Sequence, residues 1–180
     1  MPAVKSRSRA PARRAQREDA VTMLKDDHAR VDGLFRRFAA LKSGGARKGA
    51  LVAKICDELD VHMDIEEQIF YPSIRAAIGE DDLMDEAAVE HGSFKALIEE
   101  LRFLKPGDTQ YDARVTVLAE YVRHHVKEEV EQMFPKARRT DIDLFALADA
   151  MRARRRELTG PAARTQELLA LSLAYPGMMV

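Results

Sequence analysis

The stretch HMDIEEQIFYP, residues 62–72, has a counterpart in HVKEEVEQMFP, residues 125–135. Both read histidine, three residues, glutamate, five residues, proline. The offset from His62 to His125 is 63 positions, and the same offset carries Glu66 onto Glu129, Pro72 onto Pro135 and His28 onto His91. Apolar residues keep the register too. Val31, Leu34, Phe35 and Phe38 map onto Phe94, Leu97, Ile98 and Leu101, while Val52, Ile55 and Leu59 map onto Val115, Leu118 and Val122. This is an internal duplication that carries a polar set along with its core. Chance accounts for one matched pair of histidines, but poorly for four histidines, two glutamates and two prolines in one register.

The repeating unit is helical. Apolar residues at 24, 31, 34, 35, 38 and 41 have helix spacing, which predicts a first helix from Glu18 to Leu41, ended by KSGGARKG. A second helix is expected over about 50–71, stopping before Pro72. GEDD at 79–82 is an acidic start for a third helix over about 82–104, which KPGD breaks. A fourth is expected over about 109–134, stopping before Pro135. No segment alternates as a strand does. The pattern is all-α: an up-down-up-down four-helix bundle over 18–136, built from a duplicated two-helix unit. A C-terminal helical extension, 137–180, follows, with one helix over 141–158 and another over 162–174.

Composition narrows the class. At 180 residues, 46% hydrophobic and 33% charged, the chain suits one domain of charged-faced helices. Its single cysteine, Cys56, cannot form an internal disulfide, and reads as a small buried residue. No apolar run approaches the ~20 residues of a membrane span. Residues 1–17 hold six Lys and Arg and no acid, without an apolar core for a secretory signal. A cytoplasmic protein without a membrane partner is expected. The basic arm reads as a solvated, disordered tail; it has no stacking aromatics, so a nucleic-acid partner is not expected.

The histidines fall on core-facing stripes: Leu24–His28–Val31–Phe35, Leu59–His62–Glu66–Ile69, Ala87–His91–Phe94–Ile98 and Val122–His125–Glu129–Met133. Each glutamate lies one turn beyond its histidine on the same face. Two carboxylates on core stripes need a charge partner. No core-facing lysine or arginine is evident, and a metal dication answers the need. Heights agree: His28 and His62 each stand ~20 Å of helical rise from the turn that joins their helices. His28, His62, Glu66, His91, His125 and Glu129 can therefore meet in one layer as metal ligands. His124 maps onto Val61 and reads as a neighbour, and Glu67 and Glu128 read as outer-face charges.

The set His28, His62-x-x-x-Glu66, His91 and His125-x-x-x-Glu129 resembles the hemerythrin family, in its HHE cation-binding branch. The resemblance covers about residues 20–136. It implies a bundle around two iron ions, oxo- or hydroxo-bridged, with Glu66 and Glu129 bridging and the four histidines completing the shells. Imidazole and carboxylate also suit zinc or manganese, but six ligands exceed the four of a closed zinc site. The family includes oxygen carriers, sensors, and proteins that react with peroxide or nitric oxide. Carriers usually place a second histidine four residues after the one at 91, where this chain has Lys95, and use a longer His-to-Asp spacing on the fourth helix. These departures argue against reversible carriage. The resemblance therefore implies binding of, or reaction with, O2, peroxide or nitric oxide in stress protection, with a non-enzymatic iron, oxygen or redox sensor as the alternative. Glu58 and Tyr121, one turn before His62 and His125, are candidates, with Lys95, for an extra ligand or a supporting contact.

Overall fold

The computed structural model describes residues 18–42, 45–79 and 81–161. Helix α1 spans Ala20–Ala40, and the carboxylate of Asp19 accepts from the Thr22 N–H at 2.8 Å, capping an otherwise orphaned donor. Helix α2 starts at Gly45, runs to Ile65, passes through a π-helical turn at Glu66–Phe70 and continues as Tyr71–Ile78. Helix α3 spans Asp81–Phe103. Helix α4 spans Tyr111–Glu128, then a second π-helical turn at Glu129–Met133, then Phe134–Ala137. Helix α5 spans Leu144–Thr159, capped by Asp143. The first four form the bundle: α1 packs on α2 and α4, and α3 packs on the same two. Helix α5 lies against α1 and α2. Among the described residues there is no strand, and no helix is long and apolar enough to cross a membrane.

Two expected boundaries are corrected, for one reason. Helices α2 and α4 do not stop at Pro72 and Pro135. A proline inside a helix lacks an N–H and its ring meets the carbonyl four residues back. Here the helix widens just before it. The Tyr71 N–H bonds the Glu66 carbonyl, and the Phe134 N–H bonds the Glu129 carbonyl, each five residues back. Each proline then sits in the first turn of the next segment, where a missing N–H costs least. Both wide turns begin on a glutamate of the repeated motif, and single π turns are frequent at functional sites. Helix α2 finally ends at Gly79, whose φ of 70° suits glycine. It also begins earlier than expected, inside the stretch read as a loop. A Cβ on Gly49 would stand 3.3 Å from Pro106, so the small residue lets the α3–α4 connection lie close over the start of α2.

The core is in two parts. Phe35, Ile55, Leu59, Ile98 and Leu118 belong to one apolar cluster. Leu24, Ile65, Phe70, Ile74, Met84 and, from α5, Met151 belong to the other. Burial of each such side chain contributes about 1.5–3 kcal/mol. Against this apolar interior stands a buried polar set: Asp27, His28, His62, Glu66, His91, His125 and Glu129. The arm at 1–17 and the helix expected over 162–174 lie outside the described residues.

Candidate metal centre

The i, i+4 pairs His62–Glu66 and His125–Glu129 come from α2 and α4, and His28 and His91 come from α1 and α3. All four histidines turn Nε2 inward. His28 and His62 Nε2 are 3.0 Å apart, and His91 and His125 Nε2 are 3.2 Å apart. Glu66 Oε2 stands 3.2 Å from His62 Nε2 and 3.5 Å from His91 Nε2. Glu129 Oε2 stands 3.2 Å from His28 Nε2 and 3.6 Å from His125 Nε2. The two carboxylates thus face histidines of both repeats. They are 0% and 1% exposed.

Outward hydrogen bonds assign the tautomers. His125 Nδ1 lies 2.7 Å from Glu90 Oε2, and His91 Nδ1 lies 3.0 Å from Glu67 Oε1. A carboxylate accepts, so these Nδ1 atoms donate, and a neutral imidazole then has only a lone pair at Nε2. His91 and His125 therefore aim two lone pairs at each other across 3.2 Å. Such a contact needs a cation or a shared proton between them. The Glu66 oxygens favour a metal, since Oε1 of this buried residue has no hydrogen-bond partner among the described residues. Two imidazole nitrogens bound to one ion at about 2.1 Å and at right angles stand roughly 3 Å apart, which is the spacing found here. The donor set fits a metal, and it divides into two overlapping groups, His28–His62–Glu66–Glu129 and Glu66–His91–His125.

Burial and mutual charge push the donors in different directions. Burial, then the neighbouring Glu129, pushes the Glu66 carboxyl well above its ordinary range. Burial also opposes the Glu129 charge, but His125 and His28 hold its carboxyl low. Burial, then His125, pushes His91 down to about 2. His62 is lowered by burial, whereas His125 is raised because Glu129 and Glu90 outweigh its burial.

A ring of groups behind the histidines was missed in the sequence. Asp27 Oδ2 is 3.6 Å from His62 Nδ1, just beyond hydrogen-bond length. Asp27 and Glu90 are themselves 63 positions apart, so the register would have found them one residue before His28 and His91. Glu67 is no mere outer-face charge: it joins His91 to Lys95, whose Nζ lies 2.6 Å and 2.7 Å from its two oxygens. Tyr71 was hidden because its counterpart is Phe134. Its hydroxyl donates to Glu129 Oε1 at 2.9 Å and lies 3.3 Å from Glu66 Oε2. Burial and these two carboxylates push the phenol well above its ordinary range. Phe134 stacks on His28 instead, with ring centres 5.9 Å apart.

The three candidates for an extra ligand do not turn to the donor set. Glu58 pairs with Arg30 at 2.8 Å, Tyr121 is 48% exposed, and Lys95 points to Glu67. The phenol that reaches the carboxylates is Tyr71, not Tyr121. His124 stays outside, 3.5 Å from Glu128. Cys56 is buried, and burial pushes its thiol up to about 11, as suits a packing residue rather than a nucleophile.

Comparison with known proteins places the chain. The model of the hemerythrin HHE cation binding domain matches residues 19–137. A DNA nickase of Nostoc sp. is 30% identical over 122 residues, 67% of this chain and 33% of that protein, so the chain spans about a third of that relative's length. The uncharacterized protein Rv2633c of Mycobacterium tuberculosis is 26% identical over 151 residues, 79% of this chain and 88% of that one. The crystal structure of a hemerythrin HHE cation binding domain-containing protein from Mycobacterium kansasii, an Rv2633c homologue, shares the fold with a TM-score of 0.68. It is 24% identical, and the match covers 85% of this chain and 91% of that one. With the match to the domain spanning the whole bundle and the six donors gathered at its centre, the chain belongs to the hemerythrin HHE cation-binding family.

Proposed function

We propose that His28, His62, Glu66, His91, His125 and Glu129 hold two iron ions, and that the protein reacts with O2, peroxide or nitric oxide as a defence against oxidative or nitrosative stress. The observation that carries this reading is the overlap of the two donor groups at Glu66. A carboxylate common to both groups suits two ions side by side, and six protein donors shared by two ions leave positions for small ligands. Bound iron supplies the redox chemistry. Zinc and manganese accept the same donor types, but zinc has no redox chemistry of its own.

The chain's own residues supply the rest. Glu90 and Glu67 hold the His125 and His91 rings by their Nδ1 protons, which fixes ring orientation and raises basicity. Tyr71 keeps a proton at Oη beside Glu129. Reduction of an oxygen ligand consumes protons, and this hydroxyl holds one next to the donor set. A groove between α1 and α4, bordered by Phe35, Val122, Val126 and Val130, reaches His28 from outside. It offers a small uncharged ligand an apolar approach.

Anaerobic purification followed by metal analysis and optical spectroscopy tests the reading. Two irons per chain are expected, with absorption bands that change on adding peroxide or nitric oxide and with peroxide consumed over many turnovers. Full iron loading without turnover would favour the sensor alternative. Less than one iron per chain after anaerobic reconstitution would overturn the di-iron reading.

A further inference from the structure

Helix α5 lies outside the residues that match the family domain. Three of its arginines reach back to other segments. Arg152 donates to the Glu18 carbonyl at 2.6 Å, Arg154 grips both oxygens of Asp64 at 2.7 and 3.1 Å, and Arg155 grips both oxygens of Asp27. Of these acceptors only Asp27 stands behind a histidine of the centre. Asp27 is 2% exposed, and Arg30 also donates to its Oδ1, at 2.7 Å.

The duplicated partner supplies the contrast. Glu90 faces His125 as Asp27 faces His62, yet among the described residues no arginine or lysine stands within ion-pair distance of Glu90; it meets only His124 and His125. The Glu90–His125 contact is 2.7 Å and the Asp27–His62 contact 3.6 Å. A carboxylate held by both oxygens in a guanidinium fork cannot rotate without breaking two charge-assisted hydrogen bonds. The fork therefore decides where Asp27 stands relative to the imidazole.

We infer that Arg155 is a positioning residue of the metal centre: clamped on Asp27, it fixes the carboxylate that stands 3.6 Å behind His62 Nδ1, so a helix outside the duplicated bundle completes one end of the site. This rests on the reading that the cluster holds metal. The consequence is that the two ends of the centre are built differently, one steadied from α5 and the other from within the repeat alone.

Titration of Co(II) and Fe(II) into the metal-free full chain, under anaerobic conditions, tests this. Affinity, the visible bands of bound Co(II) and the melting temperature of the metal-free chain are the readouts. Arg155→Ala should weaken binding about tenfold or more, the usual effect of losing a group behind a ligand, and should shift the Co(II) bands. Arg154→Ala removes a two-oxygen grip of the same helix that touches no histidine; it should lower the melting temperature while leaving affinity and bands unchanged. Arg155→Lys keeps the charge without the fork and should fall between the wild type and Arg155→Ala. If Arg155→Ala does not fold, Arg155→Lys carries the test through its bands. Bands and affinity like the wild type in the Arg155 variants, or an equal change in Arg154→Ala, would overturn the inference alone. A wild-type chain that binds neither ion, or His62→Ala with full loading, would overturn the metal reading and the inference with it.

Discussion

The α2–α3 and α1–α4 seams are counterparts under the repeat, and they have been finished in opposite ways. At α2–α3, Glu67 takes the His91 Nδ1 proton and is itself held by Lys95. Sixty-three positions away, Glu67 becomes Val130 and Lys95 becomes Asp32. His28 Nδ1 accordingly has no hydrogen-bond partner among the described residues, and Asp32 turns to Arg123 instead, at 3.0 Å. The aromatic positions diverge too: Tyr71 bonds the carboxylates, and Phe134 stacks on a histidine. One seam is closed by polar groups, with the Tyr71 hydroxyl donating to Glu129. The other is apolar beside His28, with the Asp32–Arg123 pair at its rim, and holds the groove. Duplication supplies two equal donor sets, and substitution around them creates a front and a back.

The largest effect is expected where the two donor groups share a residue. Glu66→Ala removes a donor from both groups, so it should abolish loading of both ions. The variant's melting temperature should match that of the chelated wild type, because ligands from four helices couple metal to folding. At a free-ion concentration 100-fold above Kd the bound wild type gains about 2.7 kcal/mol per site, which chelation should remove. Retained loading of one ion would show that the groups do not depend on Glu66 jointly.

Next comes the phenol. Tyr71→Phe makes the two aromatic positions alike and deprives Glu129 of its donor. A buried acceptor left without a partner costs about 1–3 kcal/mol, so the metal-free variant should melt lower, and any proton-consuming reaction should slow. Phe134→Tyr is the mirror substitution; it should not restore the rate in the double variant, because Phe134 faces His28 rather than the carboxylates. Restored turnover in that double variant would mean the seams are interchangeable.

A smaller change is expected from Val130→Glu, which writes the closed seam onto the open one. It should give His28 an outward acceptor and narrow the groove, slowing nitric oxide or peroxide binding in stopped-flow traces without loss of iron. Unchanged binding rates would place the approach elsewhere. The smallest effect belongs to Lys95. Its pair with Glu67 is half-exposed, and such pairs contribute about 0–1 kcal/mol. Lys95→His should leave the coordination number of the metal-loaded protein unchanged, as read by X-ray absorption, since residue 95 points at Glu67 and not at the six donors.

How much of this stood in the sequence can be said residue by residue. The six donors were legible because their spacing is duplicated, and chance cannot imitate that register. The bundle followed from the helical period of the apolar residues around them. What was illegible lay where the two repeats differ. Glu67 has no glutamate for a counterpart and was read as an outer-face charge, and Tyr71 has no tyrosine for one and drew no notice, while Glu58 and Tyr121 were singled out for their distance from a histidine along the helix. Distance along one helix says nothing of Arg30, a cation on a neighbouring helix that takes Glu58 away. Arg155 lies outside the repeat altogether, so only the packing of α5 brings it to Asp27. The prolines misled for a physical reason: a breaker stops a helix of ordinary pitch, but a widened turn makes room for it.

That widened turn has a consequence for chain length. On an α-helix a residue five positions on lies about 140° round the axis, which would carry the residue-71 side chain away from the centre. Each π turn is in effect one surplus residue, and it is this surplus that lets Tyr71 reach back to Glu66, five positions earlier. Wound at ordinary α pitch with no residue lost, the downstream segment would swing by about 100°, sending the phenol off the carboxylates while Glu66 stayed put; trimming one residue, such as Gln68, together with the wide turn would leave Tyr71 four positions after Glu66 and on the same face. The phenol is thus placed by the wide turn, which absorbs one residue more than a regular helix needs, as much as by its own side chain.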